Sequence, residues 1–149
     1  MPQLSLDLTD TRHQLVGVAL TLVPSGSTLQ LRLPAWTPGS YLIRDYVRTL
    51  EGLEIHQAGR RLQSRRLDVA HWQVDLADAA PVEVSYRIDA SDSSVRTCQL
   101  TTDHGFLALA GVALAVEGQR WQPHQLRLTL PSGWRMPWHP LFRPAAASW

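Results

Sequence analysis

The sequence predicts an all-β fold, a single β-sandwich of mostly antiparallel strands with one short helical turn. Three observations lead to this prediction. Apolar and polar residues alternate with a period of two along most of the chain. At least about eight such segments occur, each short, and turn formers separate them every eight to twelve residues or so. A chain of 149 residues is long enough for one domain of this kind. We assign residues 1–140 to the sandwich and 141–149 to an irregular tail or the start of a linker.

The first half of the chain contains three strand patterns, at residues 4–8, 15–23 and 29–33. Pro24-Ser25-Gly26-Ser27 lies between the second and third and predicts a hairpin-type connection. A fourth pattern, residues 50–55, leads into an Ala58-Gly59 turn, after which residues 62–67 form a return strand.

The second half continues the alternation. Residues 69–76 place Ala70, Trp72, Val74 and Leu76 on one face, and residues 82–88 repeat the pattern after a turn at 78–81. Further strands are predicted at 95–101 and 126–130. The longest apolar run, 106–116, is broken by Gly111 and predicts a buried strand pair or a bent strand.

Residues 33–46 carry an unusual density of prolines, aromatic residues and charges. Pro34 and Pro38 push the residues before them into extended conformations. Gly39 permits a left-handed backbone, and Ser40 can cap a short helical turn that runs through Ile43 to Tyr46.

The chain resembles the N-terminal domain of the glycyl-aminopeptidase family, zinc metallopeptidases that usually carry a C-terminal PDZ domain. The motif that carries the resemblance is Trp36-Thr37-Pro38-Gly39-Ser40-Tyr41-Leu42-Ile43-Arg44-Asp45. Supporting blocks are Ser94-Val95-Arg96-Thr97, Gly105-Phe106-Leu107 with Val116-Glu117-Gly118, and the closing segment 125–134. One departure is Ala108, where relatives often have Asn.

The resemblance implies a non-catalytic domain that docks on the catalytic domain of the same polypeptide and restricts substrate access to peptide N-termini. It also implies that zinc is held by that missing catalytic domain and that the parent enzyme acts on peptides with N-terminal Gly or Ala. Separately, residues 1–10 contain no basic region followed by an apolar run, which predicts a cytoplasmic protein. The candidate residues for substrate binding or for the domain interface are Trp36, Thr37, Pro38, Gly39, Ser40, Tyr41, Arg44, Asp45 and Arg96.

The sequence argues against catalysis by this chain itself. It has no His-Glu-x-x-His motif, and its six histidines are scattered singly, so we expect no cofactor and no metal here. Cys98 is the lone cysteine, and Ser40 lies outside a nucleophile-elbow context. A metal-dependent enzyme built from histidines that the fold brings together is the remaining catalytic alternative.

Charge and hydropathy argue against two classes of partner. The net charge of +1 predicts no nucleic-acid partner, and the pair of Arg60-Arg61 and Arg65-Arg66 is interpreted as a charged hairpin edge. No stretch approaches the ~20 apolar residues of a membrane span, which predicts no membrane partner.

Two alternatives concern the aromatic residues. Trp36 and Tyr41 could pack into one end of the sandwich, and a core Trp36 would cost roughly 3–5 kcal/mol when replaced by Ala. The runner-up function is a free-standing module that binds a carbohydrate or a peptide on Trp121, Trp134 and Trp138.

Overall fold

The computed structural model describes residues 1–94 and 97–135. Within them, the chain forms twelve β-strands and two 3-10 turns, Tyr46–Thr49 and Leu109–Gly111. The strands are β1 (Gln3–Asp10), β2 (Leu15–Leu22), β3 (Thr28–Arg32), β4 (Leu50–Gln57), β5 (Arg60–Leu62), β6 (Ser64–Asp68), β7 (His71–Asp75), β8 (Val82–Asp89), β9 (Cys98–Leu100), β10 (Gly105–Leu107), β11 (Ala115–Val116) and β12 (Gln125–Thr129). In the described ranges no helix is long and apolar enough to cross a membrane.

The strands form two main sheets and one small one. The larger sheet has the order β12-β1-β2-β8-β4-β5, the second has the order β11-β3-β7-β6, and β9 pairs with β10. Neighbouring strands are antiparallel except β1 and β12, which are parallel. The prediction of a mostly antiparallel β-sandwich is confirmed.

The alternating pattern decides which face of each strand is buried. On β8, Val82, Val84, Tyr86 and Ile88 are buried, and the residues between them are exposed. On β7, Trp72 and Val74 enter the same core, as the sequence predicts. Burial of these side chains between the sheets is the main stabilising contribution to the fold.

The connection between β2 and β3 corrects one prediction. The two strands lie in different sheets, so residues 23–27 cross from one sheet to the other and form no hairpin. Inward-facing Leu22 and Leu29 are compatible with either arrangement, and alternation alone does not say which sheet a strand joins.

The apolar run at 106–116 is also different from the prediction. It divides into β10, the 3-10 turn Leu109–Gly111 and β11, and the two strands pair with β9 and β3 instead of with each other. The strand predicted at 95–101 is described only as β9. The boundary predicted at residue 140 and the tail 141–149 lie outside the described residues.

The turn predicted at Ala58-Gly59 is confirmed. Both residues have positive φ, 48° and 74°, as a tight two-residue hairpin between β4 and β5 requires. The predicted return strand at 62–67 is divided at Gln63, where the chain passes from the six-stranded sheet to the four-stranded sheet.

The arginine-rich strands lie at sheet edges, as interpreted from the sequence. β5 is the last strand of the larger sheet and β6 the last strand of the four-stranded sheet. Arg61 pairs with Glu54 at 3.4 Å, and the Arg66 guanidinium lies 5.4 Å from the ring centre of Trp72. Charged side chains on edge strands discourage pairing with other chains.

Candidate domain interface

Residues 33–45 form a loop between β3 and the first 3-10 turn, at one end of the sandwich. Leu33 is buried, and its backbone N–H donates to the Ala70 carbonyl at 3.0 Å. The Arg44 N–H donates to the Ala35 carbonyl, which brings the two ends of the loop together. The loop therefore leaves the sandwich and returns to it at one place.

Hydrogen bonds within the loop fix its shape. The Ser40 N–H donates to the Thr37 carbonyl at 3.1 Å, and the Trp36 indole N–H donates to the Ser40 carbonyl at 2.8 Å. Gly39 between them has φ +88°, the left-handed backbone that the sequence predicts. The loop is preorganised by its own backbone and side chains.

The predicted helical turn starts elsewhere. The Ser40 hydroxyl donates to the Leu42 carbonyl at 2.8 Å and accepts from the Leu42 N–H at 3.3 Å, so it caps a local turn instead of a helix. The observed 3-10 turn begins at Tyr46 and has no side-chain cap. A hydroxyl that can bond its own neighbours competes with helix formation, and here the local bonds prevail.

Four large side chains of this loop point to solvent. Tyr41 is fully exposed, Ile43 is 79 % exposed, Leu42 58 % and Trp36 51 %. We call Trp36, Tyr41, Leu42 and Ile43 the loop patch. The packing alternative for Trp36 and Tyr41 is therefore wrong, because neither side chain lies in the core.

The aromatic residue that does enter the core here is Tyr46, which is buried. Its ring lies against Gly111, where a Cβ would come within 2.9 Å of the Tyr46 ring. Sequence reasoning missed this pair, as it missed Leu42 and Ile43. Three consecutive large residues, Tyr41 to Ile43, on a turn-rich segment were the available signal, because they cannot all face one core.

Arg44 and Asp45 hold the end of the loop through hydrogen bonds of their backbone carbonyls. The Tyr46 N–H donates to the Arg44 carbonyl at 2.9 Å, and the Arg48 N–H donates to the Asp45 carbonyl at 3.1 Å. Among the described residues neither the Arg44 nor the Asp45 side chain has an ion pair. Pro38 is exposed at the tip of the loop, and Arg96 lies outside the described residues.

A groove of about 720 Å³ reaches the base of the loop. It runs between the β11 edge of the four-stranded sheet and strands β1 and β2 of the larger sheet. Leu4, Leu20, Leu33 and Leu114 form its buried floor, and Trp36 lies at its rim, so the groove and the loop patch are continuous. We call it the edge groove.

Tyr86 holds the segment that forms one wall of the edge groove. Its buried hydroxyl donates to the Val112 carbonyl at 2.7 Å and accepts from the Leu114 N–H at 3.1 Å. Burial raises the pKa of Tyr86 and keeps the phenol protonated. Both backbone groups would otherwise be buried without a partner.

A chain of polar side chains fixes the outer rim of the groove. Arg32 donates to His71 Nδ1 at 3.2 Å, so the neutral imidazole carries its proton on Nε2 and donates to Gln30 Oε1 at 3.1 Å. The Gln30 amide donates in turn to Gln73 at 3.0 Å. Glu117 lies 3.6 Å from Arg32 and also pairs with Arg120.

The described residues contain no group of three or more His, Cys, Asp or Glu side chains that could hold a metal ion. His13 pairs with Asp10, whose pKa is lowered by that hydrogen bond, and His104 lies beside Asp103. Cys98 is buried, and burial raises the pKa of its thiol. None of these groups forms a catalytic pair with a second one in the part of the chain that the structure describes.

Two of the three tryptophans of the runner-up function, Trp121 and Trp134, have different environments. Trp121 is almost fully exposed before β12, whereas Trp134 follows β12, is half-buried and donates to the Thr102 carbonyl at 3.4 Å. The strand β12 lies between them in the sequence. Trp138 lies outside the described residues.

Comparison with known proteins identifies the family. A family model described as the Peptidase M61 N-terminal domain matches residues 3–139. The chain belongs to the Peptidase M61 N-terminal domain family. The resemblance to glycyl aminopeptidases drawn from the sequence motif is thereby confirmed. No curated protein matches the chain.

One solved structure contains a region similar to this chain within a longer protein. The crystal structure of an aminopeptidase N family protein from Idiomarina loihiensis is similar over 89 % of this chain, with a TM-score of 0.82 and 35 % sequence identity. This chain spans 22 % of the length of that protein. The relative is therefore a larger protein with further domains.

Proposed function

We propose that this chain is the non-catalytic N-terminal domain of a cytoplasmic, glycyl-aminopeptidase-like zinc metallopeptidase. It docks on the catalytic domain of the same polypeptide through the loop patch and restricts substrate access to peptide N-termini. Its expected partners are that domain and, through the parent enzyme, the peptide substrate.

The loop patch is the observation that carries the docking proposal. Exposed apolar patches on soluble proteins mark interaction surfaces, and Trp and Tyr are enriched where binding energy concentrates. Because hydrogen bonds already fix residues 35–44, little conformational entropy remains to be lost when the patch is covered. The loop is thus suited to a permanent contact.

Zinc chemistry belongs to the part of the parent outside this chain. The described residues do not offer a metal-ligand set, so the zinc that the family implies would be held by the catalytic domain. The role left to this chain is steric. A rigid loop against the substrate cleft would leave room for a free N-terminus and exclude a chain that continues past it.

The test replaces the two most exposed residues of the patch in the longer polypeptide, as Tyr41→Ser with Ile43→Ser. Val23→Ser is the matched control, because Val23 is 59 % exposed and lies near the opposite end of the sandwich. Hydrolysis of one peptide is measured with a free and with an acetylated N-terminus.

We expect the double variant to lower kcat/KM for the free peptide by about tenfold or more and to raise the relative rate for the acetylated one, since positioning and exclusion are both weakened. The Val23 variant should behave as wild type. Unchanged selectivity in the double variant, with the fold intact, would overturn the proposal.

A further inference from the structure

We infer that the edge groove is a second contact with the rest of the polypeptide, and that it receives apolar side chains from the segments of the longer protein that lie outside this chain. This inference rests on the proposed function, because it assigns the partner of the surface next to the loop patch.

The composition of the edge groove fits an apolar occupant. Its floor is made of leucines that are almost fully buried within this chain, and its walls include small residues such as Ala110 and Ala113. A volume of about 720 Å³ lies in the range of sites that hold a ligand of many atoms. Binding of an apolar partner to walls of this extent is favourable, because it removes their apolar surface from water.

The rim of the groove does not select a small charged ligand. Arg32 and Arg120 both pair with Glu117, and His71 is held between Arg32 and Gln30. Arg32 and Arg120 thus share one carboxylate partner at the rim, and the groove offers an apolar centre surrounded by polar side chains that already have partners. An apolar centre with a polar rim is typical of protein–protein interfaces.

Two observations identify the occupant as the same polypeptide. Trp36 belongs to both the edge groove and the loop patch, so a partner that covers one surface reaches the other. In the similar protein of known structure, most of the chain lies outside the region that this chain matches. A longer polypeptide of that kind would carry the partner of the groove in the same molecule. A separate protein would have to find this surface by diffusion.

The test measures thiol alkylation by N-ethylmaleimide in the longer polypeptide and in the 149-residue chain. Ala113→Cys reports on the groove, Tyr41→Cys on the loop patch, and Ala79→Cys on an exposed turn near the opposite end. The buried native Cys98 gives the background rate and shows in each sample that the domain is folded.

We expect the thiol at position 113 to react at least about tenfold more slowly in the longer polypeptide than in the 149-residue chain, while the thiol at 79 reacts equally in both. Equal rates at 113 with protection at 41 would overturn the groove inference and leave the proposed function standing. Protection at 113 without protection at 41 would support the groove contact and overturn docking through the loop. A reading frame that ends with this chain would overturn both.

Discussion

Replacing Tyr86 by Phe tests how the wall of the edge groove is held. The substitution keeps the buried ring and removes only the hydroxyl, which donates to the Val112 carbonyl and accepts from the Leu114 N–H. Each buried backbone group left without a partner costs about 1–3 kcal/mol. Because the two groups are close together and can relax jointly, we expect a total loss of about 2–4 kcal/mol in the free energy of unfolding.

The assay is equilibrium unfolding in urea, with the same m value for both proteins. Tyr41→Phe is the matched control, because the Tyr41 side chain is fully exposed, and it should change the free energy by less than about 0.5 kcal/mol. A loss below about 1 kcal/mol for Tyr86→Phe would show that segment 109–114 is held by something other than this hydroxyl.

Three further predictions concern stability. Gly111→Ala should lower the free energy of unfolding by about 1–3 kcal/mol in thermal or urea unfolding, because its Cβ would press on the Tyr46 ring. Gly26→Ala is the control and should be nearly neutral, since nothing lies near its Cβ position. Equal effects of the two substitutions would contradict the contact between Gly111 and Tyr46. Tyr46→Ala should lower the free energy of unfolding by about 3–5 kcal/mol in urea titration, and Trp36→Ala by about 1–2 kcal/mol, because Tyr46 is buried and Trp36 is half exposed. The reverse order would place Trp36 in the core. Since burial raises the pKa of Tyr86 above its ordinary value of 10.0, folding favours the protonated phenol, so stability should be full below about pH 10 and fall above it. Urea titrations at about pH 8 and about pH 11 should show a smaller fall for Tyr86→Phe, and an equal fall would contradict the assignment.

The strands could be predicted because burial on one face imposes a period of two. Alternate residues of β8, from Val82 to Ile88, face the core as their alternation indicates, and so do Trp72 and Val74 of β7. The division of strands between sheets could not be predicted in the same way. β12 pairs with β1 across more than a hundred residues, and residues 23–27 cross between sheets, and neither feature has a local sequence signal.

The loop was predicted as a special structure, but the burial of its side chains was not. Pro34, Pro38 and Gly39 specify a stiff, turn-rich backbone, and φ of Gly39 agrees with that. Tyr46 is buried beside Gly111, which lies far along the chain, so its burial has no local sequence signal. The edge groove has the same origin, since its walls come from segments that meet only in the folded protein.

The gene sequence downstream of the codon for Trp149 shows directly whether a catalytic domain follows this chain. We expect an open reading frame that continues into a catalytic domain with a His-Glu-x-x-His helix, the arrangement in which two histidines bind zinc and the glutamate acts as general base. A stop codon directly after Trp149 would contradict this expectation, because the loop patch and the edge groove would then have no catalytic domain in the same polypeptide to contact.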